Sequence, residues 1–434
     1  MSNCKKILCA IAALCPFGTA LASVSKIDVS AQENQSLCSF EEVMTPIWKG
    51  ATSYMETVLP VGNAYGGIDP ISLLYPIEEI IEVKNAELTV TYKEGVDYVV
   101  SGGKLIIADD GNIPVLGYRT FHPTTGQAGF EDVNGGYICF HEEDYFHQKQ
   151  IVVTYTHTKA YDGYVPESKQ TLLPNITEKL QAGKDIDLLV FGDSISVGAN
   201  SSGFVGASPY LPNYAQLFAM QMEKTYGGKV NLTNPSVGGK GVNWGLSEID
   251  NILSGLTNLD LAVLAFGMND GHMFAVDFAQ KKALLVEKVK EKFPNADVMV
   301  IATMLPNPDA KNFNKNQSLF HDALVETCEK EGVAVVNMTG MHASLLEKKR
   351  YADMTGNNVN HPNDYLARVY AQTLFATLQE KVVEEEEIPT EESVEQDTTV
   401  LDQLLSGCSG SASIGLTVAA MGTAAATLKK KKDD

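Results

Sequence analysis

Four short stretches of this 434-residue chain hold side chains that could share one reaction. The first is Gly192-Asp193-Ser194, directly after the apolar run 186–191. A serine at a strand-to-helix turn presents its hydroxyl at a sheet edge beside backbone N–H groups, where it can attack a carbonyl. Alone, Gly-Asp-Ser is a common turn. The second is Asn234-Pro-Ser-Val-Gly238-Gly239. Glycine lets a backbone N–H approach a ligand with no side chain in the way, although turn glycines are ordinary. The third is Gly267-Met-Asn269-Asp270, whose Asn269 offers a neutral amide donor to a developing oxyanion, or simply makes an Asn-Asp turn. The fourth is Asn358-Val-Asn-His361-Pro362-Asn363-Asp364. An imidazole such as that of His361 can take and return a proton near neutral pH; the plain alternative is a surface histidine before a proline turn.

The elements around these stretches would place them together. From 172 onward, apolar strands at 186–191, 261–266, 298–303 and 333–336 alternate with helical patterns at 176–180, 214–226, 278–293, 318–331 and 365–382. That alternation implies a parallel sheet covered on both faces, an α/β domain. In such sheets the working residues gather beyond the C-terminal ends of the strands, and three of the four stretches fall there. Residues 41–165 read differently. Leu88-Thr-Val-Thr-Tyr92 alternates, 98–107 reads as a hairpin about Ser101-Gly-Gly, and 151–157 alternates again. An antiparallel β-sandwich is expected there, with its domain over 23–170 and the α/β domain over 171–383.

Gly-Asp-Ser, a glycine 45 residues after the serine, Gly-x-Asn-Asp and His-Pro-Asn, in this order, resemble the SGNH (GDSL-type) hydrolases. The resemblance covers residues 172–383 and implies that family's three-layer fold. It implies Ser194 as nucleophile, with an oxyanion hole made of its own N–H, the Gly239 N–H and the Asn269 side chain. It implies His361 as general base, with no metal or organic cofactor. Family members hydrolyse esters and thioesters, many of them acetyl groups on carbohydrates. The preceding β-rich region is similar in placement to the jelly-roll module that some carbohydrate esterases carry. One position departs from the family pattern. Where an aspartate usually stands three residues before the histidine, this chain has Asn358. A carboxylate there would orient the imidazole and stabilise its cation. Asn358 or a backbone carbonyl orients His361 in a Ser-His dyad, or Asp353 or Asp364 reaches it, or catalysis is absent.

The ends point outside the cytoplasm. Lys5 and Lys6, an apolar run over 7–21 and Ala20-Leu21-Ala22 read as a signal peptide cleaved near Ala22, with a membrane anchor as the alternative. Residues 384–405 hold nine acids and no base, as an acidic linker does. Residues 406–434 combine a small, apolar run with Lys429-Lys-Lys-Lys432, like the C-terminal sorting tails of bacterial surface proteins. Cys139 and Cys328 fit small core positions, and no metal-binding cysteine spacing occurs. His141 and His147 are expected on exposed loops. Trp244, Phe204, Tyr210 and Met273 flank the motifs and would line a pocket or serve ordinary packing. A net charge of −21 excludes a nucleic-acid binder, because phosphates demand a basic surface, and favours neutral substrates.

The expectation is therefore a secreted, surface-held serine esterase acting on short acyl esters, acetyl above all, of carbohydrates. Its partners would be a small ester or a polysaccharide, with membrane contact through the tail alone. The alternatives are a non-catalytic surface protein that binds glycans through a degenerate SGNH domain, and a thioesterase or lysophospholipase.

Overall fold

The computed structural model describes residues 37–126 and 130–380. The signal segment, the acidic linker and the sorting tail lie outside the described residues. No helix among the described residues is long and apolar enough to cross a membrane.

The N-terminal region opens with α1 (Phe40–Met44), started by a reciprocal cap between Ser39 and Glu42. Six strands follow: β1 (Thr52–Val58), β2 (Glu79–Asn85), β3 (Thr91–Tyr92), β4 (Tyr98–Ser101), β5 (Lys104–Ile107) and β6 (Ile151–Thr156). Four of them form an antiparallel sheet in the order β1-β6-β2-β3, while β4 and β5 pair alone as a hairpin. Both hairpin-turn residues, Gly102 and Gly103, have positive φ, which a two-residue turn of matching twist requires. The region is thus antiparallel as expected, with its second sheet reduced to that hairpin. A short helix, α2 (Tyr118–Phe121), lies between β5 and β6. The strand expected over 88–92 shrinks to β3. Asn85 accepts the N–H groups of Thr89 and Val90, and Leu88 takes φ 60°, so a turn replaces the strand's first half.

The α/β region begins with α3 (Pro174–Gln181) and β7 (Ile186–Gly192). Then come α4 (Ser194–Val197), α5 (Ser202–Val205), α6 (Tyr214–Tyr226), β8 (Val230–Thr233), α7 (Val242–Ser254) and β9 (Leu261–Ala265). The chain continues through α8 (Ala275–Lys292), β10 (Asp297–Ala302), α9 (Phe320–Thr327), β11 (Ala334–Asn337), α10 (Met338–Leu346) and α11 (Asp364–Leu378). The five strands form one sheet in the order β11-β10-β9-β7-β8, every pair parallel. β9 and β10 are buried throughout, which explains the apolar runs 261–265 and 298–302.

The two regions share one core. A single cluster of buried side chains runs from Val43, Val58, Val83 and Tyr155 through Leu188 and Val263 to Tyr365 and Leu374. Nearly every side chain of α11 is buried, because α11 packs against β1 on one side and β11 and α6 on others. Polar ties reinforce the join. Gln372 donates to the Val43 and Thr45 carbonyls. Glu56, fully buried on β1, receives Lys349 Nζ at 2.5 Å, Tyr155 Oη at 2.7 Å and the Leu74 N–H at 2.8 Å. That set satisfies a charge that would otherwise be prohibitive in a dry interior.

Candidate active site

Ser194 stands where β7 hands over to α4. Asp193 caps the helix by accepting the Ile195 N–H at 3.0 Å, and Gly198, with φ 94°, ends it after one turn. The serine is therefore held on a tight turn at the C-terminal end of β7, between β9 and β8 in the sheet. It is buried to 6% exposure, and its Oγ lies 2.9 Å from His361 Nε2. The imidazole arrives from the loop before α11, far away in sequence.

The tautomer of His361 follows from its neighbours. Asn200 Nδ2 donates to the Glu143 carbonyl at 2.8 Å, so the amide oxygen of Asn200 faces the ring. That oxygen lies 2.5 Å from His361 Nδ1, which must then carry the proton. Nε2 is left with a lone pair aimed at the serine hydroxyl, the state a general base needs. Asn357 fixes the loop: its Oδ1 accepts the N–H groups of Val359, Asn360 and His361. Its Nδ2 lies 3.0 Å from His361 Nδ1, and its two hydrogens serve Asn360 Oδ1 at 2.9 Å and Glu142 Oε1 at 3.4 Å. The second oxygen of Glu142 is 3.5 Å from His361 Nδ1. Burial pulls the Glu142 carboxyl upward, but His361, Asn357 and Asn200 outweigh it and hold the group below its ordinary range.

Donors for an oxyanion lie beside the serine. A side-chain carbon placed on Gly238 would sit 3.7 Å from Ser194 Cβ, so the Gly238-Gly239 turn packs directly on the nucleophile. Gly239 has φ 72°, a conformation costly for a branched or bulky residue. Among the described residues, the N–H groups of Ser194 and Gly239 have no protein acceptor. Asn269 donates one amide hydrogen to the Lys240 carbonyl at 3.0 Å and keeps the other. Two backbone donors and one amide donor at a serine turn suit a tetrahedral intermediate.

Buried charge underlies these turns. Lys282, 0% exposed, reaches up from α8 to the carbonyls of Leu264 at 2.6 Å and Phe266 at 3.2 Å, pinning the end of β9 just before Asn269. Burial lowers its pKa to about 8, against the opposing pull of Cys328, Asp270 and Asp193. Burial also raises Asp193 to about 7, with Asp270 adding to the rise and the Ile195 N–H and Lys282 opposing it. Asp270 caps α7 through the Val242 N–H.

The structure thus brings Ser194 and His361 together and packs the Gly238-Gly239 turn on the serine, while Asn269 is tied to the neighbouring Lys240 carbonyl. It does not bring Asn358 there. That residue has φ 64° and is turned away, donating to the Cys139 carbonyl at 3.2 Å and accepting from Asn307. Asp353 is engaged by Arg350 and the Leu59 N–H, and Asp364 by the Ser202 N–H, so neither reaches the ring. Asn200 and Glu142 stand beside Nδ1 instead. Sequence reading missed both because neither sits at a fixed offset from the histidine. His147 is also corrected: it is buried, with Nε2 at 2.6 Å from the Ser208 carbonyl. Trp244 packs on Phe191 and Phe266, whereas Phe204 and Tyr210 stay about half exposed.

Residues 190–369 match the GDSL-like Lipase/Acylhydrolase family. No curated protein matches the chain. Among solved structures, a two-domain esterase active on acetylated mannans is 21% identical over 49% of this chain and 54% of its own, with a TM-score of 0.41. An acetylxylan esterase from Geobacillus stearothermophilus is 12% identical over 46% of this chain and 97% of its own, at a TM-score of 0.38. A lipolytic G-D-S-L family protein from Veillonella parvula is 17% identical over 44% and 96%, at 0.35. The chain spans about half the length of the two-domain esterase.

Proposed function

We propose that this chain, a member of the GDSL-like lipase and acylhydrolase family over residues 190–369, hydrolyses short acyl esters, acetyl above all, carried on carbohydrates. The observation that carries the reading is the 2.9 Å approach of Ser194 Oγ to a correctly tautomeric His361 Nε2, under three oxyanion donors. Ser194 attacks the acyl carbonyl while His361 takes its proton. The oxyanion is held by the Ser194 and Gly239 N–H groups and the Asn269 amide. The tetrahedral intermediate expels the alcohol, which receives the proton from His361. Water then repeats the sequence on the acyl-enzyme and frees the acid.

A cavity of about 580 Å3 next to the histidine turn is lined by Asn358 and Cys139 but by neither Ser194 nor His361, so it offers room for a glycan beside the reacting centre rather than at it. Asn63, Asp69, Asp132, Asn307 and Asp309 line it together with Tyr118 and Phe121. Val61, Ile71 and Ile138 line it too, so the ester series rather than the cavity separates sugar from alkyl substrates. The test is acetate release from acetylated plant and bacterial glycans, with Ser194→Ala as control and esters from acetyl to palmitoyl for comparison. Equal rates in the two proteins would refute hydrolysis and favour the non-catalytic glycan binder. Preference for long chains would favour a lysophospholipase. The terminal sequences support a secreted, surface-held protein. Sequencing the mature N-terminus should find a start just after Ala22, and an intact Met1 would contradict that.

A further inference from the structure

We propose that Glu142, supplied by the β-rich N-terminal region, is the charged positioning residue of His361, so that the hydrolytic centre is assembled from both halves of the chain. The inference rests on the Ser194–His361 reading above and goes beyond it in saying where the missing charge comes from. The position that usually provides a carboxylate holds Asn358, which faces away. The other acids around the histidine are committed elsewhere: Asp193 to the Ile195 N–H, Asp353 to Arg350 and Asp364 to the Ser202 N–H. Glu142 is the carboxylate that reaches the ring, its Oε2 3.5 Å from Nδ1.

Three further contacts show that the approach is built. The Cys139 carbonyl accepts from Asn358, the Glu143 carbonyl accepts from Asn200, and Asn357 donates to Glu142 itself. Residues 139–143 are thereby tied both to the turn that carries the histidine and to the residue that sets its tautomer. Glu143 has φ 62°, a strained conformation for a side chain of its type, and its carbonyl is the one aimed at Asn200. The two partners divide the work. Asn200 holds the neutral ring in the right tautomer but brings no charge. When the serine proton moves to Nε2 the ring becomes a cation, and Glu142 is the nearby anion that stabilises it. Glu142 stays ionised throughout; the proton passes only from Ser194 to His361 to the leaving alcohol.

The test uses the full chain in four forms: unaltered, Ser194→Ala, Glu142→Gln and Glu142→Asp. Rates are read with p-nitrophenyl acetate across pH, and the His361 imidazole is titrated by NMR. Removing an anion lowers the imidazole pKa. E142Q should therefore lose about 10- to 100-fold in kcat with little change in KM. The acidic limb of kcat/KM and the His361 titration should both move to lower pH in this variant. E142D should recover part of both. A His361 titration unchanged in E142Q overturns the proposal, even if the rate falls, because a packing lesion alone does that. If the unaltered chain and S194A hydrolyse equally, the esterase reading fails, and the titration still decides whether Glu142 acts as a charge on His361.

Discussion

Ser194, His361, Gly239 and Asn269 were legible in the sequence because each sits in a short motif, three of them at strand ends that a parallel sheet brings together and the fourth just before the last helix. Asn200 and Glu142 were not. Their meaning depends on a fold that brings a left-handed turn and an N-terminal loop against one imidazole ring. Asn269→Ala should lower kcat by about 100- to 1,000-fold with KM nearly unchanged, since its free amide hydrogen is used only once the oxyanion forms. Steady-state kinetics on the same ester checks it. A different histidine governs acid stability. His342 is fully buried, its Nδ1 accepts the Leu305 N–H, and burial lowers its pKa to about 3. Between that value and the unfolded one of about 6.5, the unfolded chain binds a proton that the native protein refuses. Stability from this site is therefore complete above about pH 6.5 and declines as pH falls toward 3. On going from pH 7 to 4.5 the loss should be about 2–3 kcal/mol. His342→Asn keeps an acceptor for Leu305 and should flatten that slope in denaturant titrations. An unchanged slope would contradict the assignment.

At the scale of elements, sequence periodicity located the elements whose apolar pattern is long and uninterrupted, such as α6 and β7. It missed α7 and α10. α7 begins at a glycine cap and carries Gly245 in its first turns, where any side-chain carbon would meet the Phe266 ring at 2.6 Å. α10 follows β11 without a break, and its start is marked only by Asn337, which closes the strand and caps the helix by accepting the Gly340 N–H. The packing between elements yields two expectations. Gly245→Ala should cost about 1–3 kcal/mol by overpacking against Phe266, next to the Asn269 turn, and should lower the thermal midpoint. Lys349→Met should cost about 3–5 kcal/mol, because it strands the Glu56 carboxylate in a dry interior between β1 and the α/β region. Adding Glu56→Gln to that variant should restore much of the loss; no recovery would mean that packing, not the buried charge, dominates there.

At the scale of the whole molecule, the sequence suggested an accessory module in front of a catalytic domain. One buried cluster runs through both regions, with α11 as its common wall. Composition could not reveal this, because α11 reads as an ordinary helix until its second partner is known. A joint core should unfold as one unit, so calorimetry on the full chain should give a single cooperative transition. Two resolved transitions would mean that the regions are energetically independent. The same join is what lets a loop of the β-rich region reach the catalytic histidine. The central claim remains that Ser194 is a nucleophile activated by His361. A fluorophosphonate probe followed by peptide mass spectrometry reads that directly: one adduct should form, on Ser194, and should be slowed strongly by His361→Ala. No adduct, or equal labelling of Ser194→Ala, would contradict it.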